Sequence, residues 1–203
     1  MVFFDEVIEA FEDKKRNDIC AHLRSLGIDA QIAERGRAEE KIGGKGSLGI
    51  IDIREGPIRW VNVGRIGGDV DPVSGQLYYT DYGVPDPRLG KNIPHRRIKP
   101  LEPLEIHSVS KRSLLFLGKA IDLQWEGRDY GLGIVGCLNS DISIKQPIME
   151  SGDVTIHTYR IHRCWIITVE TRDGPSRKLW SCYQAIADHL LAEWSPASYL
   201  PTP

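Results

Sequence analysis

Hydrophobic positions near the amino terminus recur at helical spacing. Apolar residues three or four positions apart form one stripe along a helix, and such a stripe is formed by Phe4, Ile8, Phe11, Ile19, Leu23 and Leu26. Lys15 interrupts the stripe, so we predict that "KKRND" divides two short helices and that Asn17 caps the second. Gly27 stands where a left-handed carboxy-terminal cap is expected.

After this glycine the pattern changes to the alternation of apolar and polar residues that is typical of strands. "IDAQIAER" alternates in this way, and "LGIIDI" and "IRWVNV" flank "REGP", a predicted tight turn. A second hairpin is predicted to join "RWVNVGRI" to "QLYYTDY" around "DPVSG". Residues 1–82 are therefore predicted to form a subdomain with a helix and an antiparallel sheet.

Prolines interrupt the strand pattern between residues 83 and 103. Proline fixes φ and has no amide donor, so a segment this rich in proline is incompatible with an interior strand or helix. Five prolines fall here: Pro85, Pro87, Pro94, Pro100 and Pro103. We predict a linker or long crossing loop over 83–103, followed by a β-rich subdomain over 104–203.

The second half combines strands with a closing helix. "LEIHSV", "SLLFLG" and "AIDLQW" are typical of strands, whereas residues 130–141 fit either a strand or a short helix beginning after Asp129, and we favour the helix. The run from Val154 to Thr171 has no Gly or Pro and predicts one long, bent central strand. Ser176 is predicted to cap a last, amphipathic helix with an apolar face formed by Leu179, Tyr183, Ile186, Leu190 and Trp194.

These elements predict an α+β fold. Its antiparallel sheets would have a helical segment at the amino terminus and a carboxy-terminal amphipathic helix packed on the sheet. The 203 residues, of which 41% are hydrophobic, suffice for one large domain or two small ones.

Composition and charge narrow the class of partner and the location. A formal net charge of −2 gives no global electrostatic reason to bind nucleic acid or an anionic membrane. No run of about 18 apolar residues, the length of a membrane-spanning helix, is present. Asp5, Glu6 and Glu9 lie where a signal peptide would need a cationic region followed by an uninterrupted apolar one. We therefore predict a soluble, cytoplasmic protein with no membrane span, and nucleic acid is disfavoured as a partner.

The cysteines do not form a metal-binding pattern. Cys20, Cys137, Cys164 and Cys182 are scattered, with no C-x-x-C pair. In a reducing compartment such residues are expected to be free, mostly buried thiols. The sequence thus predicts no metal site and identifies no cofactor.

The stretch "IHTYRIHRCWII", residues 156–167, is the first candidate for chemistry. Alternation along a single strand places His162 and Cys164 on one face and His157 on the other, so all three cannot converge. A structural role in a central strand is therefore favoured. The alternative is a small intracellular enzyme that uses a Cys164–His162 pair, or a carboxylate-bound metal, in a cleft between the two halves.

Two other motif-like segments do not meet their patterns. "IGGKGSLG" resembles a phosphate-binding loop, but Gly46 separates the lysine from the serine and a strand follows instead of a helix. Asp52 and Glu55 suggest a metal-dependent nuclease pair, but the accompanying E-x-K element is missing. A flexible turn explains the glycine-rich segment, and surface charge on a hairpin explains Asp52 and Glu55.

A basic cluster in the proline-rich segment is the second candidate site. "KNIPHRRIK" contains His95, Arg96, Arg97 and Lys99, which can bind phosphate or carboxylate groups together with Arg59 and Arg65. The leading hypothesis is a binding or interaction module in which this basic loop contacts an anionic small molecule or an acidic protein surface. A homo-oligomeric structural subunit is a third interpretation.

Overall fold

The computed structural model describes residues 2–42, 46–66, 77–90, 104–112, 120–129, 131–170 and 173–192. In these ranges the chain forms four α-helices and eight strands. The helices are α1 (Val2–Ser25), α2 (Ile134–Ser140), α3 (Ile142–Ser151) and α4 (Arg177–Leu191). The strands are β1 (Ala30–Ile32), β2 (Ser47–Ile53), β3 (Trp60–Ile66), β4 (Leu77–Pro85), β5 (Glu105–Arg112), β6 (Ala120–Arg128), β7 (Val154–Tyr159) and β8 (Cys164–Glu170).

The eight strands form one antiparallel sheet in the order β1-β2-β3-β4-β8-β7-β5-β6. The β4–β8 pair, which runs from Tyr79↔Glu170 to Pro85↔Cys164, joins strands from both sides of the proline-rich segment. The predicted α+β fold class is confirmed. The division at 83–103 stays a prediction, and strands from both of the predicted halves belong to this sheet.

The helices pack on one face of the sheet, which we call the helix face. Along this face Val61, Tyr82, Ile167 and Ile156 are buried against residues of all four helices in one hydrophobic core. Tyr82 contacts the rings of two α4 residues, and the ring centroids are 6.0 Å from Trp180 and 4.7 Å from Tyr183. Burial of such large apolar side chains is the main favourable contribution to this packing.

The amino-terminal segment is a single helix, so the predicted break at "KKRND" is wrong. Lys15 is accommodated inside the helix because its long side chain reaches the surface, where the ammonium lies 5.2 Å from the centre of the Tyr78 ring and 3.8 Å from Asp173. The predicted cap at Gly27 is confirmed. Its φ is +82°, and the bonds from Gly27 N–H to Arg24 O and from Ile28 N–H to Leu23 O form a Schellman motif.

The run from Val154 to Thr171 is not one long strand, and this prediction is wrong. β7 and β8 form an antiparallel hairpin around a short 3₁₀ helix, Arg160–His162, and Arg163 in the left-handed region with φ +50°. The chain turns here without Gly or Pro. A hydrogen bond of 2.7 Å from the Asp86 N–H to the Arg163 carbonyl supports the turn.

Among the other helices of the second half, α3 and α4 begin at side-chain caps. The short helix predicted after Asp129 is confirmed as α2, and Ser176 caps α4 as predicted, accepting a bond of 3.2 Å from the Leu179 N–H. α3 has no counterpart among the predicted elements, and Pro147 lies inside it. Its start is stabilised by Asp141, whose carboxylate accepts from the Ser143 N–H.

The end of β4 extends into the proline-rich segment. β4 continues to Pro85, three residues into the predicted linker, and proline is tolerated at this end because the register with β3 ends at Gly83.

At the outer edge of the sheet, the Asn139 amide of α2 both accepts from and donates to the Trp125 backbone, at 2.8 and 2.9 Å. This side chain occupies backbone groups that a further strand would otherwise pair with.

Candidate functional site

The β7–β8 turn brings the candidate residues together. Antiparallel pairing places Tyr159 opposite Cys164 and His157 opposite Ile166, so all four share the sheet face that lies opposite the helices, here called the second face. The prediction that His157 lies on the other face from Cys164 is therefore wrong, because it assumed one strand where the chain folds back.

Cys164 belongs to a small hydrophobic cluster on the second face. Its neighbours there include Ile50, Trp60 and Ile166, with Tyr159 packed against them, and Cys164 is only 2% exposed. Burial, with a contribution from Glu39, raises the pKa of the Cys164 thiol to about 12. A thiol that stays protonated at neutral pH is a poor nucleophile. The environment favours the structural role of this cysteine.

His162 lies next to the same cluster but faces a different partner. Its ring centroid is 5.5 Å from that of Tyr159. The pKa of Glu39 is lowered, chiefly by a hydrogen bond from Arg37 at 2.8 Å and in smaller part by His162. Within the described residues, no hydrogen bond joins His162 to Cys164. The pair that the sequence suggested is therefore close in the chain without the contact that would activate a thiol.

Cysteine alkylation tests this description. We expect iodoacetamide at neutral pH to modify Cys137, which is exposed, and to leave Cys20, Cys164 and Cys182 intact, because these three are buried and burial raises the pKa of each. Mass spectrometry of tryptic peptides measures the result. Unfolding in urea is the control and should expose all four thiols. Modification of native Cys164 faster than Cys137 would instead support the thiol enzyme.

The tip of the hairpin carries an exposed hydrophobic residue close to an exposed arginine. Ile161 is 88% exposed, and Arg163 beside it is exposed as well. Among the described residues, none forms an ion pair with Arg163. A non-glycine residue in the left-handed region costs about 1 kcal/mol or more, and such conformations are concentrated at functional sites.

The described residues on either side of 91–103 contact the β7–β8 hairpin. The 3₁₀ helix Pro87–Gly90, which leads into residue 91, lies beside Arg160–His162. On the other side, Leu104 exchanges two hydrogen bonds of 3.1 Å with Thr158, near the end of β7. His95, Arg96, Arg97 and Lys99 themselves lie outside the described residues.

The two arginines that were expected to join this cluster lie apart from each other. Arg59 precedes β3, and its N–H donates to the Gly83 carbonyl at the end of the sheet where β4 ends. Arg65 is paired with Tyr78 near the far end of β3. Six residues of extended strand separate them by about 20 Å. Of these two arginines, only Arg59 lies at the end of the sheet where the β7–β8 hairpin turns.

The other candidate residues are also separated. Asp52 accepts a hydrogen bond from Arg37 on the second face, whereas Glu55 lies in the β2–β3 turn. In the part of the chain that the structure describes, no three His, Cys, Asp or Glu side chains are placed to hold a metal ion.

A polar row on the second face was not predicted from the sequence. Asn62, Asp81 and Thr168 lie opposite one another on β3, β4 and β8. Asp81 is 2% exposed and accepts from the Thr168 hydroxyl at 2.7 Å and from the Asn62 amide at 3.4 Å. Burial nevertheless raises the pKa of Asp81 to about 6. The available signal was an acidic residue at an alternating position of a strand rich in tyrosine.

None of the described helices is long and apolar enough to cross a membrane. Comparisons of the chain with protein-family models, with curated proteins and with solved structures found no match. A function for this chain must therefore be inferred from its own fold and side chains.

Proposed function

We propose that the protein is an intracellular binding module that contacts an acidic protein surface through the β7–β8 hairpin tip and the basic segment 91–99. The observation that carries this proposal is the exposed Ile161, close in sequence to the exposed Arg163, on a hairpin that contacts the described residues on both sides of 91–103. Arginine and an apolar side chain in one patch are typical of the centres of protein interfaces.

Charge supports the same surface. The basic segment carries Lys91, His95, Arg96, Arg97 and Lys99. Arg163 adds a cation that no described acidic side chain neutralises. The formal net charge of −2 makes this local concentration of positive charge distinct from the rest of the chain. Such a patch accelerates association with an acidic partner and selects against basic ones.

The shape of the tip favours a protein over a small anion. Small-molecule sites are concave and bury most of their ligand, whereas Ile161 projects from a hairpin turn and is almost fully exposed. The enzyme hypothesis receives less support, because the Cys164 thiol is buried and its pKa is raised to about 12.

Fluorescence anisotropy tests the proposal with a labelled peptide in which glutamate alternates with leucine. We expect Arg96→Gln combined with Arg97→Gln to weaken binding about tenfold in about 50 mM NaCl, with a smaller effect in about 200 mM NaCl because salt screens exposed charges. Ile161→Ser should weaken binding about fivefold in both salts, since it removes apolar contact.

The matched control removes two cations elsewhere. Lys145→Gln with Lys178→Gln makes the same change of charge on α3 and at the start of α4, a helix about 20 Å long whose other end is held by Arg88 near the hairpin. This control should bind the peptide as the unmodified chain does. Equal affinity of all variants would reject the proposed surface. Displacement of the peptide by millimolar inorganic phosphate would assign the cations to a small anion instead.

A further inference from the structure

A polar cleft lies between the end of α1, the β2–β3 turn and the first turns of α4. Its volume is about 300 Å³. Asp29 and Glu55 lie on one side, and Arg177, Ser181 and Gln184 of α4 lie on the other. Leu26, Ile28 and Trp180 add apolar surface to the lining. The cleft therefore combines opposite charges with a hydrophobic part.

The two walls carry opposite charges that do not neutralise each other. Within the described residues, neither Glu55 nor Arg177 forms an ion pair, although both line the same cleft. Asp29 is 3.6 Å from Arg54, and both of these side chains are largely exposed. Glu55 is therefore the acidic group best placed to meet a cation in the cleft, and Arg177 is its counterpart for an anion.

The positions of the walls are fixed by the backbone. Gly56 has φ +87°, and a side chain at this position would come within 2.9 Å of the Gln184 amide nitrogen. The turn that carries Glu55 is thus packed directly against α4. On the same side of the cleft as Glu55, the Schellman motif at Gly27 fixes the chain that leads to Asp29. Walls that are fixed before binding reduce the entropic cost of holding a ligand.

We infer that this cleft binds a small amphoteric molecule of the amino-acid class with an apolar side chain. Its ammonium group would face Glu55 and Asp29, its carboxylate would face Arg177, and its side chain would contact Leu26, Ile28 and Trp180. The volume suits a ligand of this size, since clefts that hold drug-sized molecules span about 300–1,000 Å³. This site is independent of the hairpin surface.

An NMR titration of ¹⁵N-labelled protein tests the inference with three probes. L-leucine carries both charges, L-leucinamide lacks the carboxylate, and N-acetyl-L-leucine lacks the ammonium. We expect L-leucine to shift the amide signals of Gly27, Glu55 and Ser181 in a saturable manner. Each of the other two probes should bind about tenfold more weakly, because each loses one charge-assisted contact.

Variants assign each charge to its wall. Arg177→Gln should remove the difference between L-leucine and L-leucinamide while the N-acetyl probe stays weak, and Glu55→Gln should do the converse. Lys178→Gln, the neighbouring substitution on α4, is the control and should leave all three affinities unchanged. The inference is overturned if L-leucine gives no saturable shifts, if the shifts lie elsewhere, or if the three probes bind equally. None of these outcomes depends on the peptide assay of the hairpin tip.

Discussion

Replacement of Asp81 by asparagine is expected to increase the free energy of unfolding by about 3 kcal/mol at pH 8. Burial raises the pKa of Asp81 from 3.8 to about 6 in the folded protein, so the folded state holds this proton more tightly than the unfolded state does. The stability from this group is complete below pH 3.8 and is lost as the pH rises through 6. The difference between the two pKa values corresponds to roughly 3 kcal/mol. Asparagine is neutral throughout and avoids this loss.

The hydrogen bonds around Asp81 can accept the amide. The Thr168 hydroxyl, which donates to Asp81, can donate equally to an amide oxygen. Asn62 can reverse its own amide, because its other partner, the Ser47 hydroxyl at 2.6 Å, is able to donate or accept.

Urea unfolding at pH 4.5 and pH 8 measures the effect of Asp81→Asn. The gain should be clear at pH 8 and small at pH 4.5, and the exposed substitution Asp153→Asn should change neither value. A variant that is less stable than the original chain at pH 8 would show that the charged form of Asp81 is favoured by its surroundings, contrary to the raised pKa.

Replacement of Asp86 by alanine is expected to have the opposite sign and a larger size, with a loss of about 3–5 kcal/mol. Asp86 is 1% exposed and accepts from the Arg88 guanidinium at 2.8 Å and from the Trp165 indole N–H at 3.0 Å. Alanine would leave that indole N–H without its carboxylate partner. Arg88 also donates to the carbonyls of Leu190 and Ala192, so the end of α4 should loosen.

Asp86→Asn is the informative comparison, because an amide oxygen can still accept from Trp165 while the charge is lost. We expect the stability of this variant to fall between those of the original chain and the alanine variant in urea unfolding at pH 7. Burial by itself would raise the pKa of Asp86, but the hydrogen bonds from Arg88 and Trp165 outweigh it and the pKa is lowered. Its stabilisation is therefore present at neutral pH and is lost as the pH falls through the folded-state pKa. Equal stability of the three proteins at pH 7 would contradict this assignment.

The elements that could be predicted from the sequence are those with local causes. Gly27 and Ser176 end and begin helices through bonds to residues within a few positions, so their signals stand in the local sequence. The β7–β8 turn could not be predicted in this way. Its left-handed residue is Arg163 instead of a glycine, and one of its supporting bonds comes from Asp86, which is distant in the sequence.

The candidate site shows the same difference between features with local causes and features that depend on distant contacts. The sequence identified Cys164 and His162 as neighbours, but their chemistry depends on burial, which is decided by the segments that pack on the second face. Asp81 is similar, because the alternation in "LYYTDYGVP" assigns it to a face without showing whether that face is covered. Glu55 and Arg177 meet in one cleft only because α4 packs against the β2–β3 turn. These relations are tertiary and have no local signal.

The position of β8 between β4 and β7 has a consequence for how the chain is made. Synthesis proceeds from the amino terminus, so β1 to β4 leave the ribosome well before residues 164–170, the strand that pairs with β4. During this interval β4 has an open edge, which is a site for unwanted pairing with other chains. The long-range pairing of β4 with β8 also slows folding, because a large loop must close first. Completion of the sheet thus has to wait for the last strand to be translated.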